Sequence, residues 1–175
     1  MDSKTLCIMG LLDQDADHAF SDLYFKMSQR NIPIISQPPH LTFGIYDNVN
    51  QKDLLNWVAH IAHDQEELEL NFNHIGLFQQ GICFAEPCVS LELLHLHQRL
   101  HAKYDQNCDD KNCLYSVKEK GWVPHTTLAV LDSDQIGSVM PIILELFTPI
   151  QATIKSLVVT EYPPLKKIGE FPLIK

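Results

Sequence analysis

Three observations place the chain in the α+β class, organised as a degenerate duplication. A short phrase occurs twice, as Pro39-His40-Leu41-Thr42-Phe43 and Pro124-His125-Thr126-Thr127-Leu128. A similar series of helix and strand signals follows each copy, and a helix-period segment precedes each. The two histidines lie 85 residues apart in a chain of 175, so each half supplies one His-x-Thr. Random order of the 9 His and 7 Thr predicts fewer than one such pair. The shared proline and the strand-like setting separate both copies from coincidence.

The elements follow in order. Residues 6–12 form an apolar, strand-like run, and residues 16–30 a helix leading to the first motif. After the motif, Asp47-Asn48-Val49-Asn50 reads as a polar turn and residues 53–62 carry helix spacing. A strand pair over 68–75 and 81–90 is joined through Gln79-Gln80-Gly81. Residues 91–106 form the helix that leads to the second motif. Beyond it, Asp132-Ser133-Asp134 offers side-chain caps for a helix over 135–147. The β-branched run 152–160, a Tyr162-Pro163-Pro164 turn and a short strand over 169–174 close the chain.

Composition narrows the function. With 45% hydrophobic residues and no linker or low-complexity tract, residues 1–175 are expected to form a single domain with ample core. No run approaches the ~20 apolar residues of a membrane span. The start, Met1-Asp2-Ser3-Lys4, lacks a signal-peptide layout, and five cysteines are an odd number, so a cytoplasmic protein with reduced thiols is expected. A net charge of −9 argues against wrapping long duplex nucleic acid but allows a small anion in a locally positive pocket. Lys118 and Lys120 before the second motif, and Lys166-Lys167 near the end, are the basic residues of note, with solvated surface positions the plainer reading.

Strand alternation puts His40 and Thr42 on one face and Leu41 and Phe43 on the other, and groups His125 with Thr127 likewise. Two such strands side by side give one pocket with two imidazoles and two hydroxyls, a set suited to acid–base chemistry on phosphate. The remaining histidines read more plainly. His97 and His101 share a helix face with His95 nearby, and His60 and His63 are three apart. Two ligands without a third are no metal site, so exposed or half-buried helix positions are expected. A zinc site from Cys83, Cys88, Cys108 and Cys113 is spacing-compatible but disfavoured. Trp57, Phe72 and Phe43 suit the core. Trp122, beside the second motif, and Tyr46, near the first, are candidate substrate contacts, with packing in the core the alternative for each.

The motifs His40-Leu41-Thr42-Phe43 and His125-Thr126-Thr127-Leu128 resemble those of the two-histidine (2H) phosphoesterases, which include 2'-5' RNA ligase-like proteins and cyclic phosphodiesterases. Ile75-Gly76-Leu77-Phe78, Ile82-Cys83-Phe84-Ala85 and the helix from Leu91 extend the resemblance over most of the chain. It implies two pseudo-symmetric lobes, each an antiparallel sheet with helices outside, around a central cleft with one motif per lobe. It implies metal-independent hydrolysis of a 2',3'-cyclic or 2'-5' linked, RNA-derived or nucleotide phosphodiester. His40 and His125 would be acid and base in either order, with Thr42 and Thr127 on the phosphate and no cofactor. A small nucleotide or RNA end is the expected partner of a monomer. Ligation, the reverse reaction, and a weakly catalytic nucleotide- or RNA-end-binding module are the alternatives. Thr126 stands where the family has an apolar residue; it is expected to point away from the pocket and to tolerate Val.

Overall fold

The computed structural model describes residues 5–35, 37–108, 113–118, 121–162 and 165–175. Among them are β1 (Thr5–Leu12), α1 (Gln14–Gln29), β2 (His40–Tyr46), α2 (Gln51–His63), β3 (Leu68–Leu77) and β4 (Ile82–Pro87). Then come α3 (Leu91–His101), β5 (Thr126–Val130), α4 (Ile136–Leu146), β6 (Ile150–Tyr162) and β7 (Lys166–Pro172). Short 3₁₀ turns at Asp105–Asn107 and Cys113–Tyr115 lie between α3 and β5.

Local chemistry sets the helix starts. Asp13 accepts from the Ala16 amide at 2.8 Å, and its second oxygen accepts from the Thr153 amide, so one carboxylate caps α1 and ties it to β6. Asn50 and Ser90 cap α2 and α3 in the same way. The cap expected from Asp132-Ser133-Asp134 does not form. Gln135 occupies the N-cap position of α4 without a side-chain cap bond, and its own amide oxygen accepts from the Asp132 amide instead.

All strand pairings are antiparallel, in the order β2-β1-β6-β3-β4-β5, with β7 added to β6. Exchanging β1 with β4, β2 with β5 and β3 with β6 reverses that order, so the duplication is a two-fold pseudo-symmetry. The expected two lobes are β2-β1-β6 and β5-β4-β3, joined where Ile150–Ile154 pairs with Leu68–Phe72. Each lobe takes its third strand from the other half of the sequence.

The helices are exchanged as well. From α1, Tyr24 donates its hydroxyl to the Thr127 carbonyl at 2.9 Å, and Phe20 packs edge-on against Phe72. From α3, a His101 ring nitrogen lies 2.7 Å from the Phe43 carbonyl. The helix preceding each motif therefore braces the strand of the opposite motif. Phe20, Leu41, Phe43, Tyr46, Leu54, Phe72, Leu93, Leu96 and Leu128, all fully buried, lie in one continuous core beneath both lobes. At about 25 cal/mol per Å² of apolar area, burial of each large side chain supplies roughly 1.5–3 kcal/mol toward folding.

Candidate active site

Each motif sits on a strand that ends the sheet. His40 opens β2 and His125 immediately precedes β5. Leu41, Phe43, Thr126 and Leu128 are buried, whereas His40, Thr42, His125 and Thr127 are half-buried on the other face. The alternation inferred from the sequence therefore holds through both motifs. It then breaks at equivalent places. The ladder slips between Ile8 and Met9 opposite Gly44 and Thr42, and between Cys83 and Phe84 opposite Ala129 and Thr127. One extra residue enters each strand just after its threonine.

The sheet curls until its two end strands touch. The Thr126 hydroxyl donates to the His40 carbonyl at 3.0 Å, joining one motif to the other. Thr126 does point away from the half-buried face as expected, but it is a buried fastening between the motifs and not a tolerant position.

The two imidazoles are held alike. His40 Nδ1 lies 2.7 Å from the Pro38 carbonyl and His125 Nδ1 lies 2.7 Å from the Val123 carbonyl. A carbonyl only accepts, so each Nδ1 carries the proton and each Nε2 is the basic nitrogen. Pro39 and Pro124, with fixed φ, stand between carbonyl and ring in both copies. Burial lowers the pKa of both histidines, with the carbonyl contacts opposing it, and the His40 charge lowers His125 further. The two rings therefore sit in each other's field.

The surroundings differ. His125 packs edge-on to Phe78 and tilted against Phe84, each with ring centroids 5.1 Å away. Phe84 lies flat over Gly76, where a Cβ would collide with its ring. Gly81, at φ +81°, turns the chain between Phe78, just past β3, and the strand that carries Phe84. Beside His125 opens a cavity of about 340 Å³ whose walls include Phe78, Tyr115 and Trp122. Beside His40 opens one of about 280 Å³, lined by aliphatic side chains with Gln37 and Lys167.

Several expectations are corrected here. Tyr46 is fully buried, packs against His101 and Tyr104, and leaves its hydroxyl without a partner among the described residues. The bulge after Thr42 turns Tyr46 inward, so it is no substrate contact. Trp122 lines the His125 cavity, but His97 is stacked on its ring at 3.9 Å and 2°, Phe43 lies at 5.7 Å, and its N–H donates to the Thr42 carbonyl. It therefore supports the first motif, while staying half-buried at the cavity wall.

His97 and His101 are buried, not on an exposed helix face. Burial, with the nearby His101 charge, pushes His97 down to about 4. His101 Nε2 faces the Phe43 carbonyl and Nδ1 faces Asp105 at 3.0 Å, so both contacts hold a proton only in the imidazolium form. Burial lowers His101, while the Phe43 carbonyl and Asp105 oppose that shift. His101, Asp105 and Cys108 offer donor atoms within 4.8 Å of one another. Asp105, however, already accepts from the Ser116 hydroxyl and the Val117 amide, which fits a hydrogen-bonded bracket better than a metal centre. The four-cysteine grouping does not form among the described residues. Cys83 is in the core, Cys88 is exposed, and the Cys113 side chain lies outside the described residues. Trp57 is half-buried and donates to the Leu100 carbonyl. Lys118, Lys166 and Lys167 are exposed as expected, while Lys120, Pro163 and Pro164 lie outside the described residues.

No helix among the described residues is long and apolar enough to cross a membrane. No curated protein matches the chain. Among solved structures, it is similar to TT0787 of Thermus thermophilus over 97% of both chains, at 14% identity and a TM-score of 0.68. It is similar to Escherichia coli LigT in its apo form over the full length of both chains, at 11% identity and a TM-score of 0.66. The complex of that protein with 3'-AMP gives 11% identity, full coverage of both chains and a TM-score of 0.63. At such identities these likenesses show the fold. The family itself is shown by a match over residues 27–163, which include both His-x-Thr strands and the α3 helix that braces the first, and the chain belongs to the 2'-5' RNA ligase superfamily.

Proposed function

We propose that the chain is a metal-independent phosphoesterase that hydrolyses a 2',3'-cyclic phosphate or a 2'-5' linked nucleotide diester. The observation that carries this reading is the matched pair of imidazoles. Each ring has Nδ1–H bound to a carbonyl two residues upstream, which leaves Nε2 as the basic nitrogen, and the two rings share one electrostatic field. In-line displacement needs a base to deprotonate water and an acid to protonate the departing sugar oxygen, on opposite sides of phosphorus. His40 and His125, on facing strands, suit those two roles. Thr42 and Thr127, half-buried beside them, suit contacts with the equatorial phosphoryl oxygens. The complex of LigT with 3'-AMP supports a small nucleotide as ligand class.

The test is incubation in EDTA with 2',3'-cyclic, 2'-5' and 3'-5' linked substrates, with products read by mass. Turnover is expected to survive chelation, and His40→Ala and His125→Ala are each expected to cost on the order of 10²–10⁴-fold. Removing both should cost far less than the product, because they act as a unit. Turnover that vanishes in EDTA and returns with a divalent ion would overturn the mechanism.

A further inference from the structure

Three consecutive residues beside the His125 cavity are pinned by buried His97 and half-buried Asp105, which the proposed chemistry does not use. His97 Nε2 lies 2.9 Å from the Tyr115 carbonyl, which requires its proton. Asp105 accepts from the Ser116 hydroxyl at 2.9 Å and from the Val117 amide at 2.8 Å. Asp105 is in turn held by His101, whose other nitrogen faces the Phe43 carbonyl, next in sequence to Thr42. A segment with no ladder bonds of its own, the end of a 3₁₀ turn and the residues after it, is thus fixed to the first motif. Such fixing loses chain entropy for these residues, so the position of something they carry matters.

They carry Tyr115. Of the three aromatic walls of the cavity, Trp122 is stacked on His97, and Phe78 packs on Phe84 and His125. No ring lies against Tyr115 among the described residues, and its side chain is half-buried. Gln79 and Gln80, at the rim, add amides suited to the polar edge of a planar ring. A cavity of about 340 Å³ lies at the small end of the range for ligand sites. Burial pushes the Tyr115 phenol up to about 12, so the ring stays neutral.

The geometry points to Tyr115 as the face on which a nucleobase stacks beside His125, with Asp105 as the positioning residue that holds it there. This rests on the proposed phosphoesterase function, because it places the nucleoside of that substrate on the His125 side. It adds a discriminating surface that neither motif contains.

The experiment compares binding of adenosine 3'-monophosphate with that of the same ribose phosphate carrying hydrogen in place of the base, by calorimetry. The wild-type protein should bind the nucleotide about 10–100-fold more tightly, the size of one base–aromatic stack. Tyr115→Ala should remove that ratio while leaving the base-less ligand unchanged, and Tyr115→Phe should keep it. Asp105→Asn should reduce the ratio several-fold without weakening the base-less ligand, which a general loss of structure would not do. If Asp105→Asn fails to fold, the two Tyr115 variants still decide. Equal binding of both ligands by the wild type, or equal losses for both in Tyr115→Ala, overturns the assignment. Absence of turnover on the diester panel overturns the phosphoesterase reading instead, and the binding ratio reads the stacking face regardless.

Discussion

Acidification should destabilise the fold through His97. This residue is 4% exposed, stacked on Trp122 and close to His101, and its pKa falls from the ordinary 6.5 to about 4. With a depressed histidine pKa, the folded protein refuses a proton that the unfolded chain accepts. Stability present above about pH 6.5 is therefore lost as pH falls toward the folded value. At about 1.4 kcal/mol per pH unit, the loss between pH 7 and pH 4 is about 3 kcal/mol. That is a large fraction of the roughly 5–15 kcal/mol that holds a domain together. The assay is urea unfolding at fixed ionic strength across this pH range, for the wild type and His97→Gln. Glutamine keeps a donor for the Tyr115 carbonyl but gains no charge. His40 and His125 titrate in both proteins and cancel in the difference, which then reads His97 together with its mutual charge effect on His101. The stability gap between wild type and variant should change by about 3 kcal/mol in favour of the variant on acidification. Parallel curves would refute this account of His97.

Three further outcomes follow from the site. Because burial lowers His40 and His125, the acid partner loses its proton early as pH rises, so kcat/KM on a 2',3'-cyclic nucleotide should be bell-shaped with its maximum below about pH 6.5; initial rates against pH check this, and the limbs belong to the pair. Thr126→Val leaves the His40 carbonyl without its donor and should cost about 1–3 kcal/mol in urea unfolding together with a fall in rate, whereas Thr126→Ser should recover most of both. Gly76→Ala forces the Phe84 ring off its bed and away from His125, and should cost about 1–3 kcal/mol by overpacking and lower turnover, with the far-ultraviolet circular dichroism spectrum retained.

The parts of the molecule visible in the sequence are those governed by short periods. Alternation over four residues places His40 with Thr42 and His125 with Thr127, and helix spacing locates α1, α2 and α3. What escaped depends on partners distant in sequence. One inserted residue after Thr42 sends Tyr46 into the core, and only the pairing with β1 shows that insertion. His97 and His101 look like solvated helix residues until α3 is laid against β2, an exchange between halves that spacing along the chain does not encode. Thr126 is polar at an inward position, a signal that a buried hydroxyl bond was needed, but its acceptor is 86 residues away. Tyr115 stands in a segment without periodicity, and only the bracket of Asp105 and His97 singles it out.

The curl that brings β2 against β5 also settles a hazard of open sheets. Both are terminal strands, each with one backbone edge outside the ladder among the described residues, and such edges recruit strands from other molecules. Here each edge is kinked by its bulge and guarded by the other, so the cleft is the unclosed gap of a near-barrel. A diester gripped from both sides would act as the missing rung, and saturation with ligand should then suppress self-association as well as raise thermal stability. Conversely, any opening of the Thr126–His40 seam would disable the proposed acid–base pair and bare two adhesive edges at once. Inactivation and aggregation would then share a single local event.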